Sequence, residues 1–191
     1  RLDKVERLRR AGVEPWPHRT GRTHSCAEAV GLLQTTGEGG RVVVAGRLRS
    51  LRTMGKVAFA HIEDGSGRIQ LFLRADELGG KDALKTLERD FDLGDFIEAA
   101  GTVVTTRTGE PSVLVESFKM LAKAVSPLPV VKEQEVDGEL QRYSAFSDVE
   151  ERYRQRYADL AVNPEVRQVF RTRARVISAL RRFMDDEGFL E

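Results

Sequence analysis

The period of the apolar residues changes at Arg41, and this limits the folds open to the chain. Upstream, Leu2, Val5 and Leu8 recur at helical spacing until Gly12, Pro15 and Pro17 stop the helix. From Arg41 the segments RVVVAGRLRSL, KVAFAHIED and RIQLFLR are rich in β-branched and aromatic residues and are separated by the turns TMG and GSG, which reads as a three-strand meander. KDALKTLERD, residues 81–90, has helical composition with Leu84 and Leu87 on one side. DFIEAAGTVVTTRT and PSVLVESFKMLAKAV follow as two more strands, broken at Thr108 and Gly109.

Three strands, a helix and two strands is the order of an OB-fold. The expected fold is therefore mixed β and α: a five-stranded OB-fold β-barrel with an N-terminal helix and C-terminal helices. Such barrels bind oligonucleotides on the face of strands two and three and through the neighbouring loops. Residues 14–40 are rich in Pro, Thr and Gly and read as a connecting arm, with one short helix around Cys26 to Leu33. Trp16 is placed to anchor that arm against the barrel, or simply to pack. Pro127 and Pro129 close the barrel segment, and residues 130–146 form a polar linker with little periodicity. DVEERYRQRYADL then reads as one short helix. Asn163 is a natural N-cap and Pro164 a natural first residue of a longer helix, whose apolar stripe is Val166, Phe170, Ile177, Leu180 and Met184 and whose stop is Gly188. The last three residues, Phe189, Leu190 and Glu191, read as the start of a strand. The organisation expected is 1–40 helix and arm, 41–126 barrel, 127–149 linker and 150–191 a further helical segment.

Composition excludes more than it assigns. Thirty-one Lys and Arg against thirty Asp and Glu leave a net charge of +1, so any nucleic-acid contact must come from local clustering. One cysteine, Cys26, forms no internal disulfide, and with three His there is no zinc spacing; no metal site is expected, and a reducing cytoplasm is the natural location. No apolar run approaches the ~20 residues that span a bilayer. There is no phosphate-cradling P-loop, no nucleophile elbow and no other catalytic constellation. Asp185, Asp186 and Glu187 read as solvated charges at a helix end.

A single-stranded RNA loop is bound through flat faces on which bases stack, side-chain amides or carboxylates that read base edges, and cations for phosphates. All three occur near strands two and three. Alternation sends Val57, Phe59 and His61 to one face and Ala58, Ala60 and Ile62 to the other. The Ala, Ala, Ile face suits the core, which leaves Phe59 outside with His61 as a stacking platform, against the alternative of a core phenylalanine. Ile69, Leu71 and Leu73 share the inner face of the third strand, and Gln70 lies opposite with Phe72, its amide offering donors and an acceptor to a base edge. Arg52 in the loop LRTMGK, and Arg107 with Glu110 in TRTGEP, would add guanidinium groups and a carboxylate, or are solvated charges. In RYRQRY, Tyr153 and Tyr157 are expected to pack a helix face while Arg152, Arg154 and Arg156 make structural ion pairs, in preference to RNA contacts.

The phrases VAGRLRSLRTMGKVAFAHIEDGSGRIQLFL, DLGDFIEAAGTVVTTRTGEPSVLVESFKMLAKAVSPLP and ERYRQRYADL, followed by a helix ending in GFLE, closely resemble bacterial class II lysyl-tRNA synthetases, in that order and over nearly all of the chain. The resemblance implies an OB-fold that grips the anticodon loop of tRNA(Lys). Phe59 would stack on a base, Gln70 and Arg52 would hydrogen-bond to the central uridine and Glu110 would contact a neighbouring anticodon base. His61 and Arg107, singled out by the residue pattern alone, are candidates for additional RNA contact. The resemblance also implies a homodimeric enzyme that activates lysine with ATP and magnesium and esterifies tRNA. On this reading the chain is trimmed before Arg1 and stops within motif 1, before the ATP and amino-acid site, and is inactive alone with no cofactor of its own. Alternatives are a stand-alone OB-fold module for tRNA or single strands without ligase activity, or a dimerisation piece whose RNA surface no longer works.

Overall fold

The computed structural model describes residues 1–36, 39–129, 131–136, 139–144 and 146–191. The chain divides into two compact units, Arg1–Pro127 and Leu128–Glu191.

The first unit holds helices α1 (Leu2–Arg10), α2 (Cys26–Thr36) and α3 (Lys81–Asp90), and strands β1 (Arg41–Met54), β2 (Val57–Glu63), β3 (Arg68–Arg74), β4 (Phe96–Thr105) and β5 (Pro111–Ala122). The strands close into a barrel in the order β1-β2-β3-β5-β4, with β4 pairing back onto β1. All neighbours are antiparallel except β3 and β5. This is the five-stranded OB-fold expected from the strand order. The alternation that suggested strands is realised as burial: Val42, Val44, Ala58, Ala60, Ile62, Ile69, Leu71, Leu73, Val103, Val113 and Val115 fill the interior, the dominant favourable term for such a barrel.

Three connections fasten the helices to the barrel. Ser25 and Glu28 form a reciprocal capping box at the start of α2, and Asp64 in the β2–β3 turn accepts the N–H of Cys26. Cys26 and Ala29 then enter the barrel core. Glu98 accepts from the Thr20 hydroxyl and the Gly21 N–H and pairs with Lys119, which pins the arm to β4 and β5. Trp16 donates its indole N–H to the Lys123 carbonyl at 3.1 Å, with Arg9 over its ring, so of its two readings it takes that of an anchor for the arm. Pro111 opens β5 opposite Thr105, where its missing N–H breaks no ladder within the strand.

In the second unit, part of the stretch read as linker forms a hairpin, β6 (Val131–Val136) and β7 (Glu139–Ser144). The helix expected over 148–160 is two helices, α4 (Val149–Arg154) and α5 (Arg156–Val162), separated at Gln155. Asp148 caps α4 by accepting the Glu151 N–H. The break lets Arg152 and Arg156 converge on the fully buried Asp159, which also accepts from the Asn163 amide. Asn163 therefore precedes α6 (Pro164–Asp186) without capping it: its side chain is committed to Asp159. The structural ion pairs expected from RYRQRY form at Arg152 and Arg156, and Arg154 pairs with Glu150 within α4. Tyr153 and Tyr157 do not pack a face; both are exposed, and Arg156 lies over the Tyr153 ring. Of the stripe on α6 only Val166 is buried. Gly188 ends the helix at a φ of 83°, with the Phe189 N–H returning to the Met184 carbonyl. Residues 189–191 are irregular rather than a strand, and among the described residues no strand pairs with them.

Candidate nucleic-acid interface

The register of β1, β2, β3 and β5 lays outward-facing side chains in two rows across the barrel. Arg52, Phe59, Phe72 and Leu114 are successive partners in one row, and Ser50, His61, Gln70 and Ser112 in the next. An irregularity in β1 between Leu48 and Ser50 sets this register. Arg52 is therefore a strand residue opposite Phe59, not a loop residue; β1 runs three residues past Leu51, carried by its ladder to β2.

Phe59 and Phe72 are stacked, with ring centroids 5.0 Å apart and planes within 7° of parallel. Because the rings belong to neighbouring strands, each covers one face of the other. The uncovered face of Phe59 is on the β1 side, where Arg52 lies. Both rings are half-buried on the outside of the barrel, so the alternative of a core phenylalanine does not hold.

The second row is a continuous hydrogen-bonded chain. The Ser50 hydroxyl lies 2.8 Å from His61 Nδ1, and Glu110 accepts from His61 Nε2 at 2.7 Å and from Gln70 Nε2 at 2.6 Å. Ser112, fully buried, donates to Gln70 Oε1 at 2.8 Å. Since the carboxylate only accepts, the bond to Glu110 puts a proton on His61 Nε2. Glu110 comes from the β4–β5 loop, which is shaped by Gly109 at a φ of 85° and by bonds between Thr106 and the Glu110 backbone.

The two rows and this loop enclose an open groove of about 780 Å³. Arg52, Phe59, His61, Gln70, Arg107 and Glu110, the six residues singled out from sequence, all line it. Among the described residues neither Arg52 nor Arg107 forms a side-chain hydrogen bond or ion pair, so both guanidinium groups are available. Among the described residues no cluster of His, Cys, Asp and Glu is arranged to hold a metal ion, and no helix is long and apolar enough to cross a membrane. Stacking faces, a fixed amide and open cations in one groove are what a single strand of nucleic acid requires.

Residues 42–121 match the family described as OB-fold nucleic acid binding domain, and residues 148–191 match tRNA synthetases class II (D, K and N). Relatives named lysine–tRNA ligase align with all of the chain: 48% identical over 193 residues in Roseiflexus sp. (strain RS-1), 44% over 191 in Pelotomaculum thermopropionicum and 42% over 196 in Dehalococcoides mccartyi (strain ATCC BAA-2266 / KCTC 15142 / 195). The two matched segments are thus similar to an OB-fold nucleic acid binding domain and to a class II tRNA synthetase domain. The chain spans 37% of the Roseiflexus and Dehalococcoides relatives and 35% of the Pelotomaculum one.

Two residues of the hydrogen-bonded row, Ser50 and Ser112, escaped the sequence reading. Ser50 faces outward only because of the irregularity in β1, which no pattern in RLRSL announces. Ser112 meets Gln70 through the parallel β3–β5 pairing, whose register spans 42 positions. A serine next to Pro111 at a strand start gave no signal.

Proposed function

We propose that this chain is the anticodon-reading region of a lysine–tRNA ligase. The full-length enzyme would join lysine to tRNA(Lys) using ATP and magnesium, as a cytoplasmic homodimer. The observation that carries the reading is the parallel Phe59–Phe72 stack beside the Gln70 amide on the oligonucleotide face of an OB-fold. The names of the relatives supply the amino acid.

A base enters against the open face of Phe59, on the Arg52 side. Gln70, with one amide hydrogen and one carbonyl lone pair still free, and Arg52 hydrogen-bond to the central uridine. Glu110 uses its remaining lone pairs on a neighbouring anticodon base, and His61 and Arg107 contribute contacts to the loop and its phosphates. The functional division is an arm over 1–40, the anticodon-binding barrel over 41–126, a connector over 127–149 and the first part of the catalytic domain over 150–191. ATP and magnesium are assigned to none of these residues.

The test is binding of the chain to a tRNA(Lys) anticodon stem-loop, with the middle uridine intact or changed to cytidine, at two salt concentrations. The cytidine loop is expected to bind more weakly by about 1–3 kcal/mol. Phe59→Ala should cost a further ~1–3 kcal/mol against the intact loop, the worth of one base stacked on one ring. Equal binding of both loops, governed by salt alone, would reduce the groove to a nonspecific single-strand site.

A further inference from the structure

Reading uracil rather than cytosine with a glutamine poses a geometric problem. The two pyrimidines present opposite orders of donor and acceptor: uracil offers the O4 acceptor beside the N3–H donor, cytosine the N4 amino donor beside the N3 acceptor. A glutamine amide that rotates freely by half a turn satisfies either. Gln70 is not free to rotate. Its Nε2 donates to the Glu110 carboxylate at 2.6 Å and its Oε1 accepts from Ser112 at 2.8 Å. Turning the amide over would set Oε1 against a carboxylate, two acceptors face to face, and would forfeit a charge-assisted bond. The residue is 7% exposed and Ser112 is fully buried, so water offers little replacement.

We infer that Ser112 and Glu110 form an amide lock that makes Gln70 selective for uridine over cytidine, with Ser112 as a positioning residue that never touches the RNA. The inference rests on the reading of the groove as the seat of the central uridine. Locked, the amide turns one N–H and one carbonyl lone pair toward the groove in a single order. Uracil matches that order. Cytosine meets a donor with a donor and an acceptor with an acceptor, unless base or amide turns over; the RNA backbone prevents the first and the lock prevents the second. The Ser112 hydroxyl, also 3.1 Å from the Glu110 backbone carbonyl, places the amide and the loop backbone at one point on β5. The carboxylate, which can only accept, fixes which end of the amide faces it.

The experiment measures dissociation constants of wild type, Ser112→Ala and Glu110→Gln for the uridine and cytidine stem-loops, with thermal unfolding of each protein as a check on folding. Wild type should favour uridine by about tenfold or more. In Ser112→Ala the amide keeps its order against Glu110 but loses the bond that holds its carbonyl end in place, so part of the single-base discrimination is lost and the cytidine-to-uridine ratio should fall by about threefold, while affinity for the uridine loop changes less than the ratio does. Glu110→Gln removes the other end of the lock and should lower the ratio as well. A ratio unchanged in both folded variants, with affinity for the two loops falling in parallel, would overturn the lock and leave Ser112 a packing residue. A wild type that binds both loops equally overturns the anticodon reading itself.

Discussion

Cys26 shows how one side chain's chemistry is set by where the fold puts it. Its position in the first turn of α2, beside Asp64, suggests an activated thiol, because helix N-termini favour thiolates. The opposite holds: burial, and after it the Asp64 carboxylate, push the thiol up from 9.0 to about 12. The carboxylate itself sits below its usual range. Burial works to raise it, and hydrogen bonds from Ser66, the Cys26 N–H and the Gly67 N–H outweigh that. A three-unit rise lowers the thiolate fraction near pH 8 about a thousandfold. Iodoacetamide should therefore label the native chain slower than the urea-unfolded chain by about that factor, before counting the steric block of a 1% exposed residue. Equal labelling rates would mean that α2 leaves the barrel readily.

Whether a strand was legible from its residues depended on its having one wet face. In β2 and β3, Ala58, Ala60, Ile62, Ile69, Leu71 and Leu73 alternate with Phe59, His61, Gln70 and Phe72, and the two-residue period alone separated core from groove. The hairpin β6–β7 carries VKEQEV and ELQRYS, in which apolar residues are few, and no alternation in the sequence announced it. The break at Gln155 was equally silent, because what sets it is the convergence of Arg152, Arg156 and Asn163 on Asp159 through the fold. Register was the least legible property, and Gly101 shows why it matters. It lies at the irregularity where β4 meets β5, and a Cβ built there falls 2.0 Å from the Leu114 carbonyl oxygen. Gly101→Ala must part the two strands, with an expected loss of about 1–3 kcal/mol, the usual range for overpacking. Urea unfolding measures it. A change within about 0.5 kcal/mol would mean that the strands separate there without strain.

Helix α1, the segment that follows α3 and the start of the arm meet at one buried cation. The Lys123 side chain is fully buried and donates to the Asp90 carbonyl at 2.8 Å, Asp92 at 2.5 Å and Asp95 at 2.6 Å. Lys4 and Arg7 of α1 reach the same acidic group at Asp92 and Asp90, and the Lys123 backbone carries the arm through Pro15 and Trp16. Lys123→Met removes the charge but not the bulk, leaving carboxylates without their central partner, which costs about 3–5 kcal/mol at neutral pH. The pH dependence distinguishes this from lost packing. For Asp92, burial works to raise the carboxyl, and bonds from Lys123 and Lys4 outweigh it, so the folded value lies below the unfolded one. Asp90 is held down by the Arg89 bond first, with burial opposing and Arg7 adding to it. A depressed carboxyl gives stability that is complete above the unfolded value, near pH 4, and is lost as pH falls through the folded value. Wild type should therefore lose stability steeply below about pH 4. Lys123→Met, in which Asp92 has lost its principal donor, should lose less, so the gap between the two proteins narrows from pH 7 to pH 3. A gap of constant size across that range in urea titrations would show that Lys123 contributes by filling space, and that the carboxylates around it are satisfied by Lys4, Arg7 and the backbone without it.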